Sequence, residues 1–176
     1  FFRLALPLPL AFLHLRRGKS SAFEGLITLV LLLSILMGPV RGPLVIFPYG
    51  LLSLWLGWSW YKGFNWWISW SIGVLIGTIG FFVRVMVLSL LVGENLWIII
   101  TRAGYGLLDK FITFFDLQFF PELGHVQLIS LFLIVFQEII YVLTLHALAY
   151  WIFPRLKAKM PEPPALLHNL VVLDSL

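Results

Sequence analysis

Apolar residues in this chain come in long runs separated by short polar breaks. A helix rises about 1.5 Å per residue and bilayer hydrocarbon is about 30 Å thick, so a run near 20 residues reads as a spanning helix. Five runs are candidates by that ruler. Residues 1–15 are short and carry Pro7 and Pro9, which predicts the end of a longer helix or a locally broken one. Residues 22–37 stop at Gly38-Pro39, and residues 44–60 open after Gly42-Pro43, both strong turn signals. Residues 64–92 and 126–153 exceed a minimal span, so tilt or extension beyond the membrane is expected. The predicted fold is therefore all-α: a polytopic transmembrane helical bundle over residues 1–153 with five visible spans. The chain opens on Phe1-Phe2-Arg3-Leu4, without methionine and inside an apolar stretch, so a sixth helix is expected upstream.

Between the last two spans the pattern changes. Asn95, Arg102, Asp109 and Asp116 recur at intervals of seven, along one helical stripe, with apolar residues around the rest. Residues 94–120 accordingly read as an amphipathic helix in the outer interface, or a re-entrant hairpin bent at Gly104 and Gly106. A sixth crossing here would carry Arg155, Lys157 and Lys159 to the outside. Residues 154–176 form a tail in which Met160-Pro161-Glu162-Pro163-Pro164 is a stiff linker and the remainder is apolar. This tail is expected to leave the bundle on the cytoplasmic side and to dock on a partner, the bundle or the membrane surface.

Charge placement sharpens the topology. With the Arg16-Arg17-Gly18-Lys19 turn inside, five crossings put Lys62, Arg155, Lys157 and Lys159 inside as well, and only Arg41, Arg102 and Lys110 outside. Trp58, Trp60, Tyr61, Trp66 and Trp67 surround Lys62, and Tyr150-Trp151 precede Arg155, where headgroup anchors belong. The net charge of +4 is thus an orientation signal and not a nucleic-acid footprint. Composition agrees: 61% of the 176 residues are hydrophobic, 11% are charged and mean hydropathy is +1.00, more apolar surface than a water-soluble domain can cover. The absence of cysteine excludes thiolate nucleophiles, disulfides, iron–sulfur clusters and Cys-based zinc sites.

Candidate chemistry is sparse. Ser69, Gly73 and Gly77, with Gly80 close to the same face, form a small-residue stripe that lets another helix approach closely. Arg84 falls on that packed face. Glu138 is the other deep charge, with Gln137 beside it and Tyr141 one turn on. At helical rise Arg84 lies roughly 14 Å and Glu138 roughly 20 Å below the outer boundary, so a structural ion pair between them is expected, with a polar ligand or ion pathway as the functional reading. His14, His125, His146 and His168 are far apart in sequence and give no metal-ligand spacing. Of these, His146 faces the membrane interior, where a hydrogen-bonded packing role is expected more often than haem or chlorophyll ligation. Gly57-Trp58-Ser59-Trp60-Tyr61 lacks the second glycine of a nucleophile elbow, and neither paired carboxylates nor a phosphate-binding glycine loop occurs. Catalysis, a metal and a cofactor are not expected.

Leu6-Pro7-Leu8-Pro9-Leu10-Ala11, the Arg16-Arg17-Gly18 turn and the Met37-Gly38-Pro39 break resemble the YybS-like family of uncharacterised polytopic membrane proteins, similar in fold to substrate-binding S components of energy-coupling-factor transporters. The resemblance covers about the first 90 residues. It implies six helices with both termini cytoplasmic, a small solute bound toward the outer half, and a partner transmembrane subunit coupled to ATPases. On that reading Arg84, Asn95, Arg102, Gln137, Glu138 and Tyr141 would line the site, with Arg84 or Arg102 pairing an anionic group and Gln137 and Tyr141 giving directional hydrogen bonds. The family's docking motif lies on its first helix, which is not in this sequence. The alternative is a non-catalytic accessory or assembly subunit of a larger respiratory or photosynthetic complex. Either places the chain in a bacterial-type plasma membrane or a thylakoid membrane, with lipid and a membrane-protein subunit as partners and no nucleic acid.

Overall fold

The computed structural model describes residues 6–115 and 122–165. Among these residues six α-helices follow one another: α1 (Pro7–Arg17), α2 (Lys19–Met37), α3 (Tyr49–Tyr61), α4 (Trp66–Val92), α5 (Leu96–Phe114) and α6 (Leu123–Ile152), with short 3₁₀ turns at Pro43–Ile46 and Pro154–Leu156. No strand occurs among the described residues. Among the described residues three helices, α2, α4 and α6, are long and apolar enough to cross a membrane.

Two of the five expected spans are not among these three. The run 44–60 begins with the 3₁₀ turn and the Phe47–Pro48 cis peptide, and only the 13 residues of α3 are helical. At 1.5 Å per residue α3 is about 20 Å long, short of the hydrocarbon thickness. The first run yields the 11-residue α1, with Phe1 to Ala5 outside the described residues. Pro7 and Pro9 do not break α1. They stand in its first turn, where backbone N–H groups have no intrahelical partner and proline costs nothing. Gly18, at φ +85°, is the single-residue turn into α2.

The shortest helices are the most buried. Leu52, Ser53, Leu56 and Ser59 of α3 are fully buried, as are Ala11 of α1 and Val142, Leu145 and Ala149 of α6, and together they build the centre of the bundle. Gly57 lets α1 lie against α3, since a Cβ there would come within 2.6 Å of His14 Cβ. The long helices, by contrast, turn apolar faces outward: Ile35 is 82% exposed, Leu90 75% and Leu128 68%, a surface for acyl chains. Water would penalise such faces.

Helix α4 starts at Asn65, whose side chain accepts a hydrogen bond from Trp67 N–H at 3.1 Å, and ends at Gly93 in the left-handed region. Its buried residues are Trp66, Ser69, Gly73, Gly77 and Gly80. Against them α6 runs antiparallel in one register: Ser69 meets His146, Gly73 meets Val142 and Gly77 meets Glu138, four residues on one helix matching four on the other. Gly80 packs on Pro48, 2.6 Å from a would-be Cβ.

Within the stretch 94–120 the described residues hold the helix α5, Leu96–Phe114, with Thr101 and Ile112 buried and Arg102, Asp109 and Lys110 exposed. Asn95 precedes it as a cap, its Oδ1 accepting from Ile98 N–H at 3.3 Å. Asp116 of the stripe lies outside the described residues. Nor does the described part of the tail depart from the bundle: Ala158 and Pro163 are buried, and Trp66 Nε1 donates to the Pro161 carbonyl at 2.9 Å. Prolines 161 and 163 leave carbonyls without a local ladder, and the indole of Trp66 takes one of them. The apolar remainder of the tail, with His168, lies beyond the described residues.

Candidate functional site

The polar centre of the bundle joins three helices. Ser59 of α3, Ser69 of α4 and His146 of α6 are all fully buried. Ser69 Oγ lies 2.7 Å from Ser59 Oγ and 3.0 Å from His146 Nε2, and His146 Nδ1 lies 2.9 Å from the Val142 carbonyl. A carbonyl only accepts, so in the neutral ring Nδ1 carries the proton and Nε2 accepts from the Ser69 hydroxyl. Ser69 then accepts from Ser59, whose hydroxyl also faces the Leu56 carbonyl at 2.9 Å. Each polar atom has a partner, which is the condition for burying such a group at low cost. Trp60 and Trp66 wall the imidazole, with ring centroids at 5.2 and 5.3 Å.

A serine hydroxyl 3.0 Å from an imidazole nitrogen has the spacing of a nucleophile and its base. Here both side chains are fully buried under tryptophan, so a substrate carbonyl has no approach without opening the helices. The same contacts occupy both ring nitrogens of His146, which leaves no lone pair for haem iron or magnesium. No group of three metal-ligating side chains forms among the described residues.

Two turns along the seam, Glu138 is 6% exposed and faces Gly77. A Cβ at Gly77 would collide with its Oε2 and lie 3.0 Å from Cδ, so glycine there is what admits the carboxylate. Tyr141, one turn from Glu138, meets Tyr49 edge-on at 6.3 Å. These are the members of the expected ligand set that the fold brings to the interior. Gln137, beside Glu138, points to the exposed side of α6, and Arg102 is exposed on α5. The half-buried Arg84 stands seven residues beyond Gly77, which the register converts to roughly 10 Å along the axis from Glu138. The contacts joining α4 to α6 include those of Ser69, Trp70, Gly73 and Gly77.

A large cavity lies elsewhere, between the second half of α4 and the start of α5. It measures about 720 Å³, has apolar walls that include Ile79, Val83, Met86 and Trp97, and carries Glu94 and Asn95 at its rim. Phe82 and Trp97 pack at 5.5 Å where the two helices meet. Ser89 ties the turn together, donating to the Val85 carbonyl at 2.8 Å and accepting from Leu96 N–H at 3.0 Å. Of the expected site residues only Asn95 lines this cavity. The apolar residues of 79–97 gave no signal of it in sequence, because a groove between neighbouring helices depends on how far the chain turns at Gly93.

A family model described as a predicted membrane protein (DUF2232) matches residues 1–116, about two thirds of the chain. The chain belongs to the DUF2232 family. Membrane residence thus rests on two independent grounds, the family and the three long apolar helices. The DUF2232 match covers α1 to α5, with the α4–α5 cavity, and stops short of α6, so Glu138 and His146 complete the polar seam from outside the matched segment. No curated protein and no solved structure matches the chain.

Proposed function

We propose that this DUF2232 chain is a non-catalytic, S-component-like subunit that binds a small amphipathic solute in the cavity between α4 and α5. The observation that carries this reading is the cavity itself: about 720 Å³ of apolar space with a carboxylate and an amide at its rim, the form of a site that buries a ligand's body and orients its polar end. The basic end of the bundle supports an inward orientation for the opposite pole. Arg16, Lys157 and Lys159 line one depression there beside Trp60 and Tyr61, and the positive-inside preference puts it on the cytoplasmic side. The cavity then opens in the outer half, where YybS-like proteins, by their likeness to S components, would take up solute. In this arrangement α1 and α3 complete the bundle beside the long helices, and an energy-coupling partner with ATPases would drive release.

The test is a small-molecule binding screen on the purified chain followed by Val83→Trp, which fills the cavity from an apolar wall. Loss of at least tenfold in affinity, with the helical content retained, is the expected result. Undiminished binding would overturn the site. Co-purification separates the partner classes: ATPase subunits support coupling, whereas stable electron-transfer subunits favour an accessory role in a respiratory or photosynthetic complex.

A further inference from the structure

A small cavity of about 190 Å³ lies where the first turns of α4 meet α6, at the end of α4 opposite the solute cavity, and Trp66, Trp67, Trp70 and Leu143 line it. Trp67 and Trp70 cross at 76° with ring centroids 5.7 Å apart, two aromatic walls set at a corner. Trp66 stands one turn before Trp70 on the same helix. At about 30 Å³ per water the volume holds roughly six water-sized groups.

Tryptophan at a bilayer interface commonly anchors a helix by giving its indole N–H to headgroups or water while the ring stays in the apolar layer. Two of these three do something else. Trp66 Nε1 donates to the Pro161 carbonyl at 2.9 Å, and Trp70 Nε1 donates to the Ile139 carbonyl at 3.1 Å. Backbone within the protein takes both N–H groups and pins both rings. Trp66, only 2% exposed, is held further by His146 and Tyr150, with ring centroids at 5.3 and 6.1 Å. The cavity therefore presents aromatic surface to a guest, with no free donor from Trp66 or Trp70 and no ionised side chain among its lining residues.

These walls select the guest's chemistry. An anion lacks the donors it needs, and a primary ammonium would lose its hydrogen bonds to water with no acceptor side chain to replace them. A methylated ammonium has no such bonds to lose. Its charge is spread over methyl groups that pack on carbon, and the electron-rich faces of indole rings attract it. The start of α4 brings partial positive charge to this end, which Asn65 reduces by accepting from Trp67 N–H at 3.1 Å.

We infer that this tryptophan cage binds a trimethylammonium group, carried by a free solute or by a lipid headgroup. The purified full chain in maltoside detergent, which contains no ammonium, tests this by titration at constant ionic strength. The probes are choline, its uncharged isostere with carbon in place of nitrogen, and ethanolamine, read from the indole N–H resonances of Trp66, Trp67 and Trp70. Choline should bind about tenfold more tightly than either of the others. Trp67→Leu keeps that wall apolar but removes its aromatic face, and Trp67 is 41% exposed, so the fold is retained. The variant should lose the preference for choline over the isostere.

Nanodiscs separate the two sources. A choline response present in phosphatidylethanolamine and abolished in phosphatidylcholine assigns the cage to a lipid head, and a response indifferent to the lipid assigns it to a free solute. An isostere or ethanolamine that binds as tightly as choline, a preference that survives Trp67→Leu, or no response to choline in detergent would each overturn the assignment.

Discussion

His146 Nε2 stands 3.0 Å from Ser69 Oγ, joining two long helices at positions 77 residues apart in the chain. Ser69 is the hub of that contact, because it gives its proton to His146 and receives one from Ser59. Ser69→Ala removes the donor to His146 Nε2 and leaves that fully buried nitrogen unsatisfied, whereas Ser59→Ala leaves the Ser69–His146 bond intact. Ser69→Ala should cost about 1–3 kcal/mol and Ser59→Ala distinctly less, read from unfolding midpoints in mild detergent. Equal losses would contradict the assigned proton positions.

The glycines of α4 should rank by what stands opposite them. A Cβ at Gly80 meets the ring and backbone of Pro48, which cannot rotate away, so Gly80→Ala should destabilise by about 1–3 kcal/mol. At Gly77 the obstacle is the Glu138 side chain, which can shift at smaller cost. Gly104 of α5 has only ordinary contacts at 3.7 and 3.9 Å, and Gly104→Ala should be close to neutral or slightly stabilising. Thermal unfolding of the three variants gives the order.

The described part of the tail is held by Trp66. Trp66→Phe keeps an aromatic ring beside His146 but loses the indole donor to Pro161. Limited trypsin digestion after Lys157 and Lys159 should accelerate severalfold while cleavage elsewhere is unchanged. An unchanged rate would mean that burial of Ala158 and Pro163 suffices to hold the segment.

At the rim of the α4–α5 cavity, Ser89 supplies the acceptor for Leu96 N–H. Ser89→Ala should raise amide hydrogen exchange at Leu96 by about tenfold and weaken ligand binding without altering exchange in α6. Protection at Leu96 that survives the change would assign the turn's order to the Phe82–Trp97 packing instead.

Much of the fold can be read from runs and spacings. The long helices α4 and α6 follow from their apolar length, and Ser69, Gly73, Gly77 and Gly80 mark a face by their four-residue spacing alone. Where reading failed, non-local geometry was in control. Residues 44–60 have the hydropathy of a span, yet Pro43 and Pro48 delay the helix to Tyr49, and what remains is buried by its neighbours rather than by lipid. Depths counted from separate loops say only that Arg84 and Glu138 lie near one level, whereas the packing at Gly73 and Gly77 fixes the register and sets Glu138 against Gly77, seven residues before Arg84. Ser59 looked like half of a discarded motif, since its partners Ser69 and His146 lie on two other helices and no single-helix period relates them. The α4–α5 cavity is a property of the angle between helices, which composition does not encode.

The antiparallel register of α4 and α6 underlies the closed polar seam and places the solute cavity to one side of it. Disulfide trapping tests it directly, because the chain has no cysteine of its own. Gly73→Cys with Val142→Cys should cross-link rapidly in membranes under mild oxidation, while Gly73→Cys with Val135→Cys, displaced by roughly 10 Å along α6, should stay reduced. Ready cross-linking of residue 73 to residue 135, with residue 142 left reduced, would contradict the register and the seam built on it.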